Sequence, residues 1–105
     1  MLADIRSLVL GDVLSQSSRT QLTGWLLGNK TGGARMRARL DKDWQVGDKT
    51  GSGDNGTTND AGLIWPPNRK PVVVSIYLTG TSRNSDQRNA ALAAVGYAIS
   101  TAIRL

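Results

Sequence analysis

Asp43-Trp44-Gln45-Val46-Gly47-Asp48-Lys49-Thr50-Gly51-Ser52-Gly53-Asp54-Asn55-Gly56 is the stretch at which the chain changes its period. Trp44 and Val46 fall on one side of a period of two, and Gln45, Gly47 and Lys49 fall on the other. Successive side chains of an extended backbone point to opposite faces, so this alternation predicts a strand over about residues 43–51 with one buried side. Residues 51–55 read as a Gly-rich turn. A returning strand follows over about residues 57–66, and Pro66, Pro67 and Asn68 supply the next turn. Residues 71–79 carry the strongest strand signal, since Val72, Val73, Val74, Ile76 and Tyr77 are β-branched or aromatic. Their nearly continuous apolar character predicts burial on both faces.

Upstream the period is helical. Leu2, Ile5, Leu8 and Val9 predict a helix over about residues 2–10, closed by Gly11. Ser15 is placed to cap a second helix over about residues 15–27, with Leu22, Trp25 and Leu26 as its apolar stripe and Gly28-Asn29 as its stop. Thr31-Gly32-Gly33 is a loop, and Arg35 to Leu40 suggests a short helical turn. Downstream, Asn84 or Ser85 can cap a last helix over about residues 85–104, whose N-terminal end favours Asp86. Leu92, Val95, Ile99 and Ile103 give it an apolar face. The order helix, helix, three-stranded antiparallel meander, helix is an α+β fold. The 105 residues make one domain or less. The third strand ends the meander, so one of its edges is free to pair with another chain.

Composition narrows the function. There are 13 Lys and Arg against 8 acidic residues, a net charge of +5. The basic residues are scattered apart from Arg35, Arg37 and Arg39, and no aromatic residues interleave with them as a base-stacking platform needs, so nucleic acid is not the expected partner. No apolar run approaches the ~20 residues that span a bilayer, and no signal-peptide pattern follows Met1, so no membrane partner is expected. The chain has no Cys and no His. That excludes thiolate chemistry and removes the commonest general base and metal ligand. Catalysis must fall to Lys, Asp, Ser or Thr, or to groups from another chain.

Several motifs reduce to ordinary structure. Gly51-Ser52-Gly53-Asp54-Asn55-Gly56 has dinucleotide-site spacing, but a strand follows it where that site needs a helix, so the run reads as a hairpin turn. Gly47-Asp48-Lys49-Thr50 looks like the tail of a phosphate loop but lacks the required upstream glycine. Asp41, Asp43 and Asp48 read as solvated charges or local partners of Lys and Arg. Asp54, Asn59 and Asp60 have no calcium-loop signature. No metal and no cofactor are expected.

Lys49-Thr50-Gly51 on a strand is a signature of serine β-lactamases and penicillin-binding proteins. Asp43-Trp44 precedes it, Gly56-Thr57-Thr58-Asn59-Asp60 and Ile64-Trp65-Pro66 follow it, and Trp25-Leu26, Gly28-Asn29-Lys30-Thr31-Gly32 and Arg35-Met36-Arg37 lie upstream. Together these residues resemble the C-terminal portion of class A β-lactamases, from about Leu2 to the end of the chain. The resemblance implies roles. Lys49 matches the motif lysine beside the nucleophile and the substrate carboxylate. Thr50 matches the hydroxyl that binds that carboxylate. Gly51 matches a position where substrate approaches the strand, as does Gly53 at its end. Ser52 matches the residue whose backbone N–H is half of the oxyanion hole. Arg35 matches an arginine that reaches the same region in some members. Others carry that arginine on the next strand, where this chain has Thr58.

The resemblance also implies what these 105 residues do not contain. The family's nucleophile lies in Ser-x-x-Lys, with Ser-Asp-Asn and a loop glutamate further on. Neither Ser motif occurs here, and all eight acidic residues are Asp. The expectation is therefore one wall of an active site, inactive alone. It would belong to a periplasmic or secreted enzyme, arising by truncation, cleavage or a partial gene. Its partners would be the β-lactam substrate of the complete enzyme and the N-terminal portion of that enzyme. A non-catalytic module that self-associates through the exposed sheet edge is the alternative.

Overall fold

Register makes the sheet. In the computed structural model, which describes residues 1–104, β1 (Gln45–Ser52), β2 (Thr58–Trp65) and β3 (Val72–Leu78) form an antiparallel sheet in the order β1-β2-β3. Val46 lies opposite Ile64, and Ile64 opposite Val72. The β1–β2 connection needs residues that accept a left-handed backbone, and Asn55 (φ 62°) and Gly56 (φ 68°) provide it. At Gly56 a side chain would also collide with the Thr81 carbonyl. Asn68 (φ 59°) serves the β2–β3 turn.

One face of the sheet carries Val46, Ile64, Val74 and Ile76, buried with Met36 and Leu92 in a single cluster. The covering layer is α3 (Ser85–Arg104) and a 3₁₀ turn over Met36–Arg39. Asn84 caps α3: its Oδ1 accepts from the Gln87 amide at 2.9 Å, and Gln87 Oε1 accepts from the Asn84 amide at 3.2 Å. The buried stripe of α3 is Leu92, Ala93, Gly96 and Ser100. Val95, expected on the apolar face, is exposed, because Gly96 is the residue that meets the turn. A Cβ on Gly96 would run into the Met36 carbonyl oxygen.

On the other face lie α1 (Leu2–Ile5), which continues as a π-helical turn over Arg6–Leu10, and α2 (Gln16–Leu27). Ser15 caps α2, accepting from the Ser18 amide at 3.2 Å. The helix rests on β1 at Gly47, where a side chain would crowd Leu26 and Trp65. The expected apolar stripe of α2 is not buried: no residue of the helix is, and Trp25 is 67% exposed. Nor is β3 buried on both faces. The short first helix covers only part of its second face, and Tyr77 is 61% exposed. Among the described residues β3 pairs only with β2, and no helix is long and apolar enough to cross a membrane.

Candidate active site

The second half of β1 is met by the loop that leaves α2. Asn29 Oδ1 accepts from the Thr31 amide at 3.2 Å and from the Thr31 hydroxyl at 2.8 Å, an Asx turn. This places Thr31 Oγ1 2.5 Å from Thr50 Oγ1. Gly32 passes directly over Asp48, where any side chain would overlap the carboxylate. The loop then delivers Arg35. Its Nη1 donates to the Gly51 carbonyl at 3.0 Å and to the Asn59 carbonyl at 2.8 Å. Its Nη2 donates to Ser52 Oγ at 2.6 Å, and its Nε donates to Asn89 Oδ1 on α3 at 2.9 Å.

The ladder sets the backbone donors. Gly53 N–H donates to the Thr57 carbonyl at 3.1 Å. In an antiparallel pair, inward-bonding and outward-pointing residues alternate. Gly51 and Lys49 therefore bond inward to β2, and the amides of Ser52 and Thr50 point away from β2 at the free edge of β1. Lys49 is exposed and donates from Nζ to the Thr50 carbonyl at 2.8 Å. A groove of about 360 Å³ runs beside Lys49, Thr50 and Gly51, with Ile5, Leu8, Leu22 and Leu26 on its other wall.

Thus Arg35, Thr50, Gly51 and Ser52 come together, Lys49 adjoins them on the same strand, and Gly53 stands at the start of the turn. Thr58 is buried, and Arg88 of α3 donates to its hydroxyl at 3.0 Å. Sequence reasoning missed Arg88, and it missed Asn89 and Thr31, which hold Arg35 and Thr50. Each partner lies tens of residues away or in a separate element, so local pattern carries no sign of it. Of the two roles expected for Asp48, solvated charge or partner of Lys or Arg, the structure shows the second. Period two puts Asp48 on the Val46 face, and it is fully buried there, ion-paired with Arg37 and accepting from Asn29 Nδ2 at 3.1 Å.

Beside it, Asp60 is also fully buried and accepts from the Met36 amide at 3.2 Å. Burial, together with the hydrogen bond and the charge of Asp48, pushes the Asp60 carboxyl up to about 8; the Met36 amide and Arg35 oppose that shift but do not cancel it.

Comparison with known proteins places this geometry. The sequence model of the Beta-lactamase enzyme family matches residues 1–103. The chain is 45% identical over 96 residues to β-lactamase AER-1 of Aeromonas hydrophila, covering 91% of this chain and 32% of that protein. It is 49% identical over 94 residues to β-lactamase Toho-1 of Escherichia coli, covering 90% and 32%. A solved ancestral (GNCA) class A β-lactamase superimposes with a TM-score of 0.95 at 54% identity, covering 97% of this chain and 39% of that one. The chain therefore spans about a third of the length of the curated relatives it matches. Over that third, in sequence and in fold alike, it belongs to the β-lactamase enzyme family and corresponds to part of a class A enzyme.

Proposed function

We propose that the chain forms the carboxylate-binding wall and half of the oxyanion hole of a class A β-lactamase, and that it hydrolyses no β-lactam by itself. The observation that carries this reading is the Arg35 guanidinium held across Gly51, Ser52 and Asn59 at the end of the strand that bears Lys49 and Thr50, where Lys49 donates from Nζ to the Thr50 carbonyl. A β-lactam bears a carboxylate, and Lys, Arg, Thr and Ser within one strand end make a site of charge-assisted hydrogen bonds for it. The outward amide of Ser52 is placed to stabilise negative charge developing on a lactam carbonyl oxygen. Lys49 would hold the anion and act beside a serine nucleophile, Thr50 would donate to the carboxylate, and Gly51 and Gly53 would leave room for substrate against the strand.

The nucleophile is what these residues do not supply. Without a serine to be acylated no acyl-enzyme forms, whatever the oxyanion donors contribute. The remaining portion of a class A enzyme would bring it, seated on the apolar groove and the β3 edge. The family's work lies in the cell envelope, so the complete enzyme would be periplasmic or secreted.

The test is a chromogenic cephalosporin assay. The chain alone is expected to give no colour, and the chain refolded with the N-terminal portion of a class A β-lactamase is expected to give turnover. A verified, folded complex without turnover would count against the reading, as would turnover by the chain alone. The second reading, a self-associating module without catalysis, is favoured by the unpaired β3 edge and the exposed Tyr77. Light scattering behind size exclusion separates the two, since a monomer at all concentrations argues against association through that edge.

A further inference from the structure

Asp48 and Asp60 occupy adjacent strands on one face of the sheet, Asp48 opposite Gly62 and Asp60 opposite Thr50. Both are 0% exposed. The donors around them can be followed one by one. Arg37 Nη2 and Asn29 Nδ2 both go to Asp48 Oδ1, and the Met36 amide goes to Asp60 Oδ2. That leaves Asp48 Oδ2 and Asp60 Oδ1, both buried and with no other group among the described residues to donate to them.

The neighbouring cations do not fill the gap. From the 36–39 turn, Arg37 bonds Asp48 Oδ1 and the Val46 carbonyl through Nη2, and its buried Nε has no partner and reaches neither free oxygen. Arg35, just before that turn, is taken by Gly51, Asn59, Ser52 and Asn89. From α3, Arg88 goes to Thr58, Ser85 and the Arg83 carbonyl. Lys49 of β1 falls on the other side of the strand and bonds the Thr50 carbonyl. Two ionised carboxylates would therefore share one guanidinium and leave two dry anionic oxygens, an arrangement that buried groups avoid by keeping a proton.

We infer that Asp60 retains its proton at neutral pH and donates it from Oδ1 to Asp48 Oδ2, so that one shared hydrogen ties β2 to the strand segment bearing Lys49 and Thr50 and, through the Met36 amide, to the turn that follows Arg35. Ionisation would release that proton to solvent, leave two carboxylates against one guanidinium and break the tie. The upward displacement of the Asp60 carboxyl agrees with this. Asp48 and Asp60 are in this sense positioning residues. The inference concerns the sheet itself and stands whether or not the strand serves a lactam.

Carboxyl ¹³C NMR of the full chain, labelled at Asp and followed from about pH 4 to about pH 9, tests it, with dispersed amide signals marking the folded form. The expected result is an Asp60 carbon that holds its protonated position through neutral pH and moves only near pH 8. Asp60→Asn should keep the fold, because its amide can donate to Asp48 Oδ2 while its carbonyl accepts from Met36. It should also abolish the alkaline movement of the Met36 and Thr50 amide signals. Asp48→Asn should unfold far more readily, since it strips Arg37 of its carboxylate. An Asp60 carbon titrating near the ordinary value of about 4 in the folded chain overturns the inference. So does Asp60→Asn lowering the unfolding midpoint as far as Asp60→Leu, because a neutral donor is what that position is inferred to require.

Discussion

The Nη2 of Arg35 stands 2.6 Å from Ser52 Oγ, and the Nη1 of the same guanidinium bridges the carbonyls of Gly51 and Asn59. A side chain from the loop after α2 thus staples the turn end of the β1–β2 hairpin, with Asn89 on α3 fixing its orientation. Only a planar fork reaches these acceptors together. Arg35→Lys keeps the charge and loses most of the bonds. Hydrogen bonds to charged groups contribute about 1.5–3 kcal/mol, and partial exposure of Arg35 lowers that, so a loss of about 1–2 kcal/mol is expected. Urea unfolding midpoints check it; a lysine variant unfolding with the parent would mean that the staple adds nothing to the fold.

Gly96 decides how closely α3 approaches the Met36–Arg39 turn. A methyl group there collides with the Met36 carbonyl oxygen and lies 3.0 Å from its carbon, and backbone does not step aside as a flexible side chain would. Gly96→Ala would gain helix propensity at an exposed site. Here overpacking wins, with a net cost of about 1–3 kcal/mol. Thermal melting should show a lower midpoint for the variant, whereas an unchanged or higher midpoint means that helix and turn can separate freely. The same displacement moves Asn89 away from Arg35, so Gly96→Ala and Arg35→Lys should combine to less than the sum of their separate effects.

These contacts show what the sequence made readable. Lys49, Thr50 and Gly51 could be placed on a strand because alternation from Trp44 to Thr50 and the glycines after it are local signals. The caps at Ser15 and Asn84 were readable for the same reason. Burial was harder to read. Asp48 shares its face with Val46 by simple alternation, yet its polarity left solvation and pairing with Lys or Arg both open, and only Arg37, Asn29 and Asp60 closing around it decide for burial. Trp25 and Tyr77 looked like core residues because they are large and apolar. Neither meets a partner that buries it here, and a stripe on a helix states only that something should cover it. Val95 failed for a finer reason, since a helix can be turned by one small residue, Gly96, that no hydrophobic period registers.

Asp60 sets the sign of the pH dependence. Its folded carboxyl is raised to about 8, while an unfolded Asp titrates near 4. Between those values the folded chain holds a proton that the unfolded chain has released, so stability falls as pH rises across this window. The contribution is fully present at the acid end and gone above the folded value. Denaturant midpoints at about pH 5, 7 and 9 should decline in that order for the parent and run flatter for Asp60→Asn. A parent that gains stability between neutral and alkaline pH would contradict the assignment.

Lys49 offers the cleanest division between fold and function. Its side chain is exposed, and among the described residues it enters no ion pair and makes one hydrogen bond, to the carbonyl of the next residue. Lys49→Ala should therefore leave the melting temperature within about 0.5 kcal/mol equivalent of the parent, as surface changes commonly do. In the refolded complex with an N-terminal β-lactamase portion the same change should be costly, because a charge-assisted contact with the substrate carboxylate is worth about 1.5–3 kcal/mol, or roughly 10- to 100-fold in kcat/KM. Lys49→Arg keeps the charge but spreads it over a fork, and should recover only part of the loss. If Lys49→Ala hydrolyses the cephalosporin as fast as the parent complex while binding its partner equally well, the anion site must be built from Arg35 and Thr50 alone, and the role proposed for the β1 lysine fails.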